Sequence, residues 1–335
     1  MKRIEVTQNF IDKAIAFVDP IRAAHRLRAR GALALAGAYT GARKDRRQTS
    51  QWTTSYGSAD DDSLWDLPVL RERSRDLCRN SPLALGAINT KVTSIVGTGL
   101  KLQSRVDHIT IGITEAEAEA WQMVAEKEFD LWADSIECDA TRTQDFYGQQ
   151  DLALRTVLVS GDVFCLLPYI ERKGSPYGLK LNLIEADQVT NKDNLRDTDK
   201  LAGGVELDEH GAPAAYHILK SHPGSLSKKP KEWTVVPAFG DLTGRRNVIH
   251  LFSRLRPGQH RGVPDLAPVI EPLKQLDRYT EAEIMAAVVS GMFTVFVKTE
   301  GGQGLAPMTP LSETGGKTTD EDFKMASGAI LDLSP

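Results

Sequence analysis

The sequence of 335 residues is poor in the residues that build disulfide-bonded or zinc-bound scaffolds. Its three cysteines, Cys78, Cys138 and Cys165, are too few and too scattered for a disulfide framework, and no CxxC pair suggests a zinc site. A reducing compartment such as the cytoplasm is therefore expected. No apolar run approaches the roughly 20 residues that a membrane span needs. The short run at 31–39 follows several arginines, which argues against a signal peptide.

Recognisable catalytic motifs are also missing. Gly97 and Gly99 lack the third glycine of a dinucleotide fingerprint, and the sequence has no GxxxxGK(S/T) loop, GxSxG elbow or HExxH pair. His250 lies in an apolar strand, where it is either a satisfied core residue or a ligand. Glu185 and Asp187 alternate along a strand, so they either share a metal or mark a solvated strand end. We predict no catalytic, metal or cofactor site and therefore no enzyme.

Positive charge is concentrated near the N-terminus. The whole chain has a formal net charge of −4, but residues 1–50 contain 11 Lys and Arg against 4 Asp and Glu, which leaves −11 on the remainder. A basic arm is typical of contact with nucleic acid or an acidic partner, and it is also consistent with a solvated terminus that has no ligand. The acidic remainder cannot hold a duplex tightly, because DNA affinity depends on clustered cations. The densest part of the arm is Arg43, Lys44, Arg46 and Arg47.

Two helices are predicted in the first part of the chain after the arm. Ser81 offers an N-cap ahead of Pro82, and Gly97 is a fitting end for that helix. The second helix opens with the capping-box pair Thr114 and Glu117. The predicted buried faces are Ala84, Ile88, Val92 and Ile95 in the first helix and Trp121, Ala125, Phe129 and Trp132 in the second.

A β-rich stretch is predicted between two further helices. The first of these runs from Asp145 to Ser160, and the pattern then stays β-rich to about residue 252, with a hairpin turn near His210. Helical character returns from Leu273 to Ser290. The predicted fold class is therefore α+β. The chain leaves a helical body, forms a β-rich module and then returns to the helical body. The face predicted for the last helix is Leu276, Thr280, Ile284 and Ala287.

Several segments, taken in order, resemble the lambda-family phage portal proteins. The stretch 70–104 is similar to an early helix of that family, and 149–170 is similar to its first stem helix and the strand that leaves it. The stretches 179–189 and 247–279 are similar to its path out of the clip and into the second stem helix. The resemblance covers about 64–296 and rests on the order of the segments, because no single motif is diagnostic.

The resemblance implies a portal-type fold with a helical wing and stem and an inserted β-rich clip. The family continues well past the point where this sequence stops, and the closing GAILDLSP is strand-like with nothing after it, so we expect the C-terminal part to be missing. The implied segments are a basic N-terminal arm and connector (1–63), the first part of the wing (64–143), the first stem helix (144–167), the clip (168–252), the second stem helix (253–291) and a truncated return to the wing (292–335).

The resemblance also implies a function and partners. Portal proteins of this family form a ring, usually of twelve subunits, at one vertex of the capsid, and double-stranded DNA passes through it during packaging and ejection without sequence specificity. The implied partners are further copies of the chain, terminase, head-completion or adaptor proteins, and the major capsid or scaffold protein, with no membrane and no cofactor. The implied location is the virion, after assembly in the host cytoplasm. The alternatives are a phage-encoded DNA-associated enzyme or another capsid-assembly protein.

Two groups of cations become candidate sites under this interpretation. Lys274 and Arg278 share a face of the last helix, where they either touch DNA phosphates or pair with Glu271 or Glu281 across a subunit contact. In the predicted clip, a lysine cluster and an arginine pair lie at turns, where they either dock partners or keep the turns soluble. These clip residues are Lys228, Lys229, Lys231, Arg245 and Arg246.

Overall fold

The chain falls into two compact units, Met1–Tyr56 and Gly57–Pro335. The computed structural model describes residues 15–17, 19–35, 42, 47, 49–54, 56–226, 231–297 and 329–332. The helices of the described residues are α1 (Pro20–Leu35), α2 (Leu67–Asn80), α3 (Pro82–Ile95), α4 (His108–Ile111), α5 (Glu115–Ala133), α6 (Phe146–Ser160) and α7 (Ile270–Met292). The strands are β1 (Asp162–Leu166), β2 (Asn182–Glu185), β3 (Leu201–Ala202), β4 (Val205–Leu207), β5 (Pro213–Leu219), β6 (Trp233–Pro237), β7 (Val248–Phe252), β8 (Phe293–Val297) and β9 (Ala329–Asp332).

The first unit contains helix α1. Its start is stabilised by Asp19, whose Oδ1 accepts hydrogen bonds of 3.1 Å from the backbone N–H groups of Ile21 and Arg22. A carboxylate at this position satisfies amide groups that have no partner inside the helix, and it also complements the helix dipole.

In the second unit, α2, α3 and α6 pack together with the start of α7. Their shared core is apolar, and it contains three of the four residues predicted for the face of α3, namely Ala84, Ile88 and Val92. The fourth, Ile95, is 54% exposed, so that part of the prediction is wrong. Ile95 is the last residue of α3, one turn beyond Val92. Gly97, just beyond α3, has φ +56, as expected for a residue that ends a helix.

Helix α5 begins with the predicted capping box. Thr114 and Glu117 each accept a hydrogen bond from the backbone N–H of the other. At the other end of the helix, Trp132 is buried and its ring packs against Phe146 at a centroid distance of 5.3 Å. The predicted burial of Trp121 is wrong, since its side chain is 59% exposed. Trp121 shares a helical face with Trp132 but lies 11 residues earlier, about 16 Å along the helix axis. Helical periodicity predicts which face a residue occupies, but it does not show how far along the helix the neighbouring layer extends.

Two antiparallel sheets occupy the middle of the second unit. One has the strand order β2-β1-β7 and the other β3-β4-β5-β6. The predicted hairpin is confirmed, since β4 and β5 are antiparallel and the N–H of Gly211 donates to the carbonyl oxygen of Asp208 at 3.1 Å. Phe164 of the first sheet and Tyr216 of the second are both buried in one hydrophobic cluster. The two sheets therefore share a core.

The helical layer and the three-stranded sheet are directly connected, because β1 follows α6 in the chain after one residue. β1 lies within the segment predicted as the first stem helix, 144–167, yet it is the central strand between β2 and β7. Helix α6 itself matches the prediction and ends at Ser160, followed by Gly161 with φ +93. The α+β class is confirmed. The segment 168–252 belongs to the same compact unit as the helices on either side of it.

The last part of the described chain is a long helix followed by paired strands. Helix α7 starts at Ile270, three residues earlier than predicted, because proline is tolerated in a first helical turn and Pro272 therefore does not delay the helix. Every residue from Arg278 to Gly291 is exposed. The strands β8 and β9 that follow pair in parallel.

Candidate functional site

A fully enclosed polar site surrounds Asp162, the first residue of β1. Its side chain is fully buried, with Arg71 Nη2 at 3.0 Å, Arg261 Nε at 2.6 Å and His250 Nε2 at 3.3 Å from its carboxylate oxygens. The N–H of Gly262 adds a further bond of 3.2 Å. Burial by itself raises the pKa of Asp162, but Arg261, the His250 hydrogen bond and Arg71 outweigh it and hold the pKa far below its usual range. The carboxylate is therefore ionised and saturated with donors.

Arg261 extends this site into the surrounding loops. Its two Nη atoms donate to the carbonyl oxygens of Ala186 and Val189, both at 2.7 Å, and also to that of Gly203. Burial followed by repulsion from Arg261 lowers the pKa of Arg71 to about 10, which still leaves Arg71 charged at neutral pH. One buried carboxylate and two arginines thus connect α2, β1 and the loops beside β2 and β3. We call this set of residues, Arg71, Asp162, His250 and Arg261, the buried charge network.

His250 is a satisfied core residue, which was the first of its two predicted alternatives. Its ring stacks between Phe164, at a centroid distance of 4.1 Å, and Phe252, at 4.3 Å. Burial lowers the pKa of His250, and the hydrogen bond to Asp162 opposes that effect without cancelling it. The imidazole is therefore neutral at neutral pH, with the Asp162 carboxylate as its partner.

Glu185, Asp187 and His222 come close enough to resemble a metal site, since their ligand atoms lie within 4.8 Å of one another. The three side chains are held by other partners in this structure. The Nδ1 atom of His222 accepts the N–H of Gly224 at 3.0 Å, which leaves the hydrogen of a neutral ring on the Nε2 atom that faces the carboxylates. Asp187 also forms an ion pair with Arg75. Ion pairs and hydrogen bonds account for this group.

The cations predicted to serve partner docking are not brought together as one patch. Lys231 is exposed just before β6, whereas Arg245 and Arg246 follow that strand, with the guanidinium of Arg246 5.2 Å from the ring centre of Phe239. A five-residue strand separates the two positions by about 15 Å. The sequence analysis likewise placed the lysine cluster and the arginine pair at two different turns. Lys228 and Lys229 lie outside the described residues.

The basic arm is largely outside the described residues as well. Arg43, Lys44 and Arg46 are not described, and Arg47 is exposed. The role predicted for the arm remains a prediction.

Helix α7 carries the candidate channel residues and a large exposed apolar surface. Lys274 and Arg278 are exposed and one turn apart. Among the described residues, no ion pair joins either of them to Glu271 or Glu281. The four residues predicted to share one face of this helix, Leu276, Thr280, Ile284 and Ala287, are all exposed. Its exposed apolar side chains are Leu276, Tyr279, Ile284, Met285, Val288 and Val289, each between 42% and 62% exposed.

Two features of the described residues bear on the class of protein. Apart from Ser74 Oγ and Gln149 Oε1, the buried polar side-chain atoms of the described residues have hydrogen-bond partners within the protein. A run of exposed apolar side chains on a helix is typical of a protein–protein interface. Residues 45–335 match the family described as "Phage portal protein, lambda family". The chain thus belongs to the lambda family of phage portal proteins.

Individual relatives agree with that assignment. The chain is 25% identical over 259 residues to "Portal protein B" of Escherichia phage lambda, an alignment that covers 76% of this chain and 47% of that protein. It is 25% identical over 257 residues to "Portal protein" of Escherichia phage N15, covering 76% and 48%. It is 27% identical over 261 residues to "Probable portal protein" of Halomonas phage phiHAP-1, covering 75% and 47%. The chain spans about half the length of the curated relatives it matches.

Family membership settles the class of protein. Portal proteins are structural components of the virion, so the prediction that the chain is not an enzyme is confirmed. Within the described residues, no helix combines the length and the apolar character needed to span a lipid bilayer.

Proposed function

We propose that this chain forms the ring at the unique capsid vertex through which viral DNA is packaged and ejected. The observation that carries the proposal is helix α7, on which Leu276, Ile284 and Val288 are exposed together with other apolar side chains. Burying one such side chain contributes on the order of 1.5–3 kcal/mol. Neighbouring copies in a closed ring would cover these side chains and gain this free energy at every subunit contact.

The charge of the chain is suited to a conduit in which DNA must slide. The sequence after residue 50 has a net charge of −11, and ring symmetry multiplies that charge by the number of subunits. A wall of this sign offers a duplex no deep binding site, because phosphate binding depends on clustered cations. Under this proposal, Lys274 and Arg278 make transient phosphate contacts from the channel wall.

The remaining partners follow from the same proposal. The segment 168–252 is assigned to the clip, and the stem helices to 144–167 and 253–291. β1, which lies in 144–167, is nevertheless the central strand of a sheet whose other two strands, β2 and β7, lie in 168–252. Lys231 and the exposed Arg245 and Arg246 would then form two separate contacts with terminase or with head-completion proteins. Twelve copies, a capsid or scaffold partner at the wing, and assembly in the host cytoplasm complete the proposal.

Electron microscopy of the purified protein tests the central claim. Negative-stain class averages, with native mass spectrometry on the same sample, are expected to show a cyclic ring with an open axis. A stable monomer at concentrations well above those used for imaging would overturn the proposal for this chain.

A further inference from the structure

A groove on the second unit is lined by no residue of α7 and by no member of the buried charge network. Its volume is about 1010 Å³, and it runs between the segment before α2 and the loop that leads into β3. That volume is at the upper end of the range for small-molecule pockets, and the groove lies open between two surface segments. It therefore has room for a stretch of peptide.

The floor of the groove is apolar. Ala202 and Leu207 are buried members of the core shared by the two sheets, and Leu64 is half-buried against the same core. Two large side chains are exposed at its edge: Leu195, which is 57% exposed, and Trp65, which is 88% exposed. An apolar side chain from a partner would find apolar contacts here that water cannot supply.

The rim of the groove is acidic. Asp61 accepts a hydrogen bond of 2.7 Å from the hydroxyl of Ser58, and Asp197 accepts the N–H of Gly203 at 2.7 Å. Asp199 also lines the groove and is exposed. Within the described part of the chain, none of these three carboxylates forms an ion pair with a basic side chain. One arginine, Arg196, shares the lining, so the rim retains an excess of negative charge.

We propose that this groove binds a basic peptide segment of a partner protein, with arginine or lysine on the rim and one apolar side chain on the floor. The uncompensated carboxylates favour cations, and the exposed ring of Trp65 adds a surface over which a guanidinium can stack. The same charge excludes nucleic acid and anionic membranes as occupants, because both are polyanions. The proposal concerns a site separate from the DNA channel and stands whether or not the chain forms a ring.

Binding of a synthetic probe to the purified full chain tests the proposal. The probe is a short fluorescein-labelled peptide in which arginine and serine flank a single leucine, and its partner probe carries glutamate in place of arginine. Fluorescence anisotropy is expected to show saturable binding of the arginine peptide and none of the glutamate peptide. Binding of both peptides alike, or of neither, would overturn the proposal.

Variants locate the site. We expect Asp61→Asn with Asp199→Asn to weaken binding of the arginine peptide about fivefold at low salt, since exposed charge pairs contribute modestly. Trp65→Ala is expected to weaken it as well, and Trp65→Phe to restore part of the loss because an aromatic face remains. The matched control is Asp241→Asn, an exposed carboxylate outside the groove. Equal weakening by the control, or unchanged binding by the groove variants with their melting temperatures intact, would contradict the assignment.

Discussion

Arg71 on α2 donates a hydrogen bond of 3.0 Å from Nη2 to Oδ1 of Asp162, which lies 91 residues further along the chain. Both side chains are buried, and the contact joins the helical layer to the central strand of the three-stranded sheet. Arg261 completes the arrangement from the other side of the same carboxylate. The helices and sheets are therefore connected by charges that water does not reach.

Replacing Asp162 by asparagine should destabilise the fold strongly. The variant removes the negative charge and leaves Arg71 and Arg261 buried without it, and breaking a buried ion pair in this way costs about 3–5 kcal/mol. The free energy of unfolding from urea titration measures the loss. The control is Asp265→Asn, which removes the partner of Lys91 in an exposed pair of 2.6 Å and should cost less than about 1 kcal/mol. Similar losses in the two variants would show that the buried charge network does not stabilise the fold as argued.

Gly161 should not tolerate a side chain. It has φ +93, and a Cβ atom built on it would overlap the backbone of Gly262 and Val263. Gly161→Ala is expected to lower the free energy of unfolding by about 3 kcal/mol or more. Two effects would destabilise Gly161→Ala: the strain of a positive φ and the overlap with the facing backbone. Gly112→Ala isolates the first effect, because Gly112 also has a positive φ, +76, but a Cβ there meets no atom within 4 Å. That control should cost only about 1–2 kcal/mol. Equal costs would mean that the close approach of the two backbones is unimportant.

Asp139 should make stability depend on pH in the acid range. Burial raises its pKa, but hydrogen bonds from Thr141 and Thr143 outweigh burial and lower the pKa from 3.8 to about 2. Because the folded pKa is below that of the unfolded chain, the ionised group stabilises the native state above about pH 4, and this contribution is lost as the pH falls toward 2. The contribution at neutral pH is on the order of 2 kcal/mol.

The variant Asp139→Asn tests this assignment by urea unfolding at a series of pH values. The difference in stability between the wild-type protein and the variant should be largest above about pH 4 and should shrink as the pH approaches 2. A difference that stays constant across that range would show that the carboxylate charge is not what stabilises the loop around Thr141 and Thr143.

Local features of this fold were predictable from sequence, whereas the contacts across the chain were not. The capping box at Thr114 and the end of α6 at Gly161 depend on neighbouring residues, so short patterns reveal them. The partners of Asp162 lie 91 and 99 residues away, and no periodicity joins them. The predicted burial of Trp121 was wrong for a related reason. Its helical face was assigned correctly, but the extent of the neighbouring layer that would cover it depends on tertiary structure. Residue spacing therefore predicts faces and ends of elements but not their partners.

Ile284 should be important for self-association. It is 59% exposed on α7, and in the proposed ring a neighbouring copy would cover it. A charge there would have to be buried without a partner, so Ile284→Glu is expected to shift the protein from rings to monomers in native mass spectra. The matched control is Ile111→Glu, an isoleucine on α4 that is 63% exposed, which should leave assembly unchanged. Rings formed by Ile284→Glu in wild-type yield would remove α7 from the proposed interface.

Lys274 and Arg278 should act on DNA rather than on assembly. Under the proposed function they lie on the channel wall, and both side chains are exposed one helical turn apart. Changing both to glutamine is expected to leave the rings intact while altering packaging and ejection, because phosphates would lose their transient cationic contacts in the channel. Glu283→Gln, on the same exposed helix, controls for a charge change that phosphates do not contact. Unchanged DNA handling combined with weakened rings would instead assign the two cations to pairs with carboxylates of the neighbouring subunit.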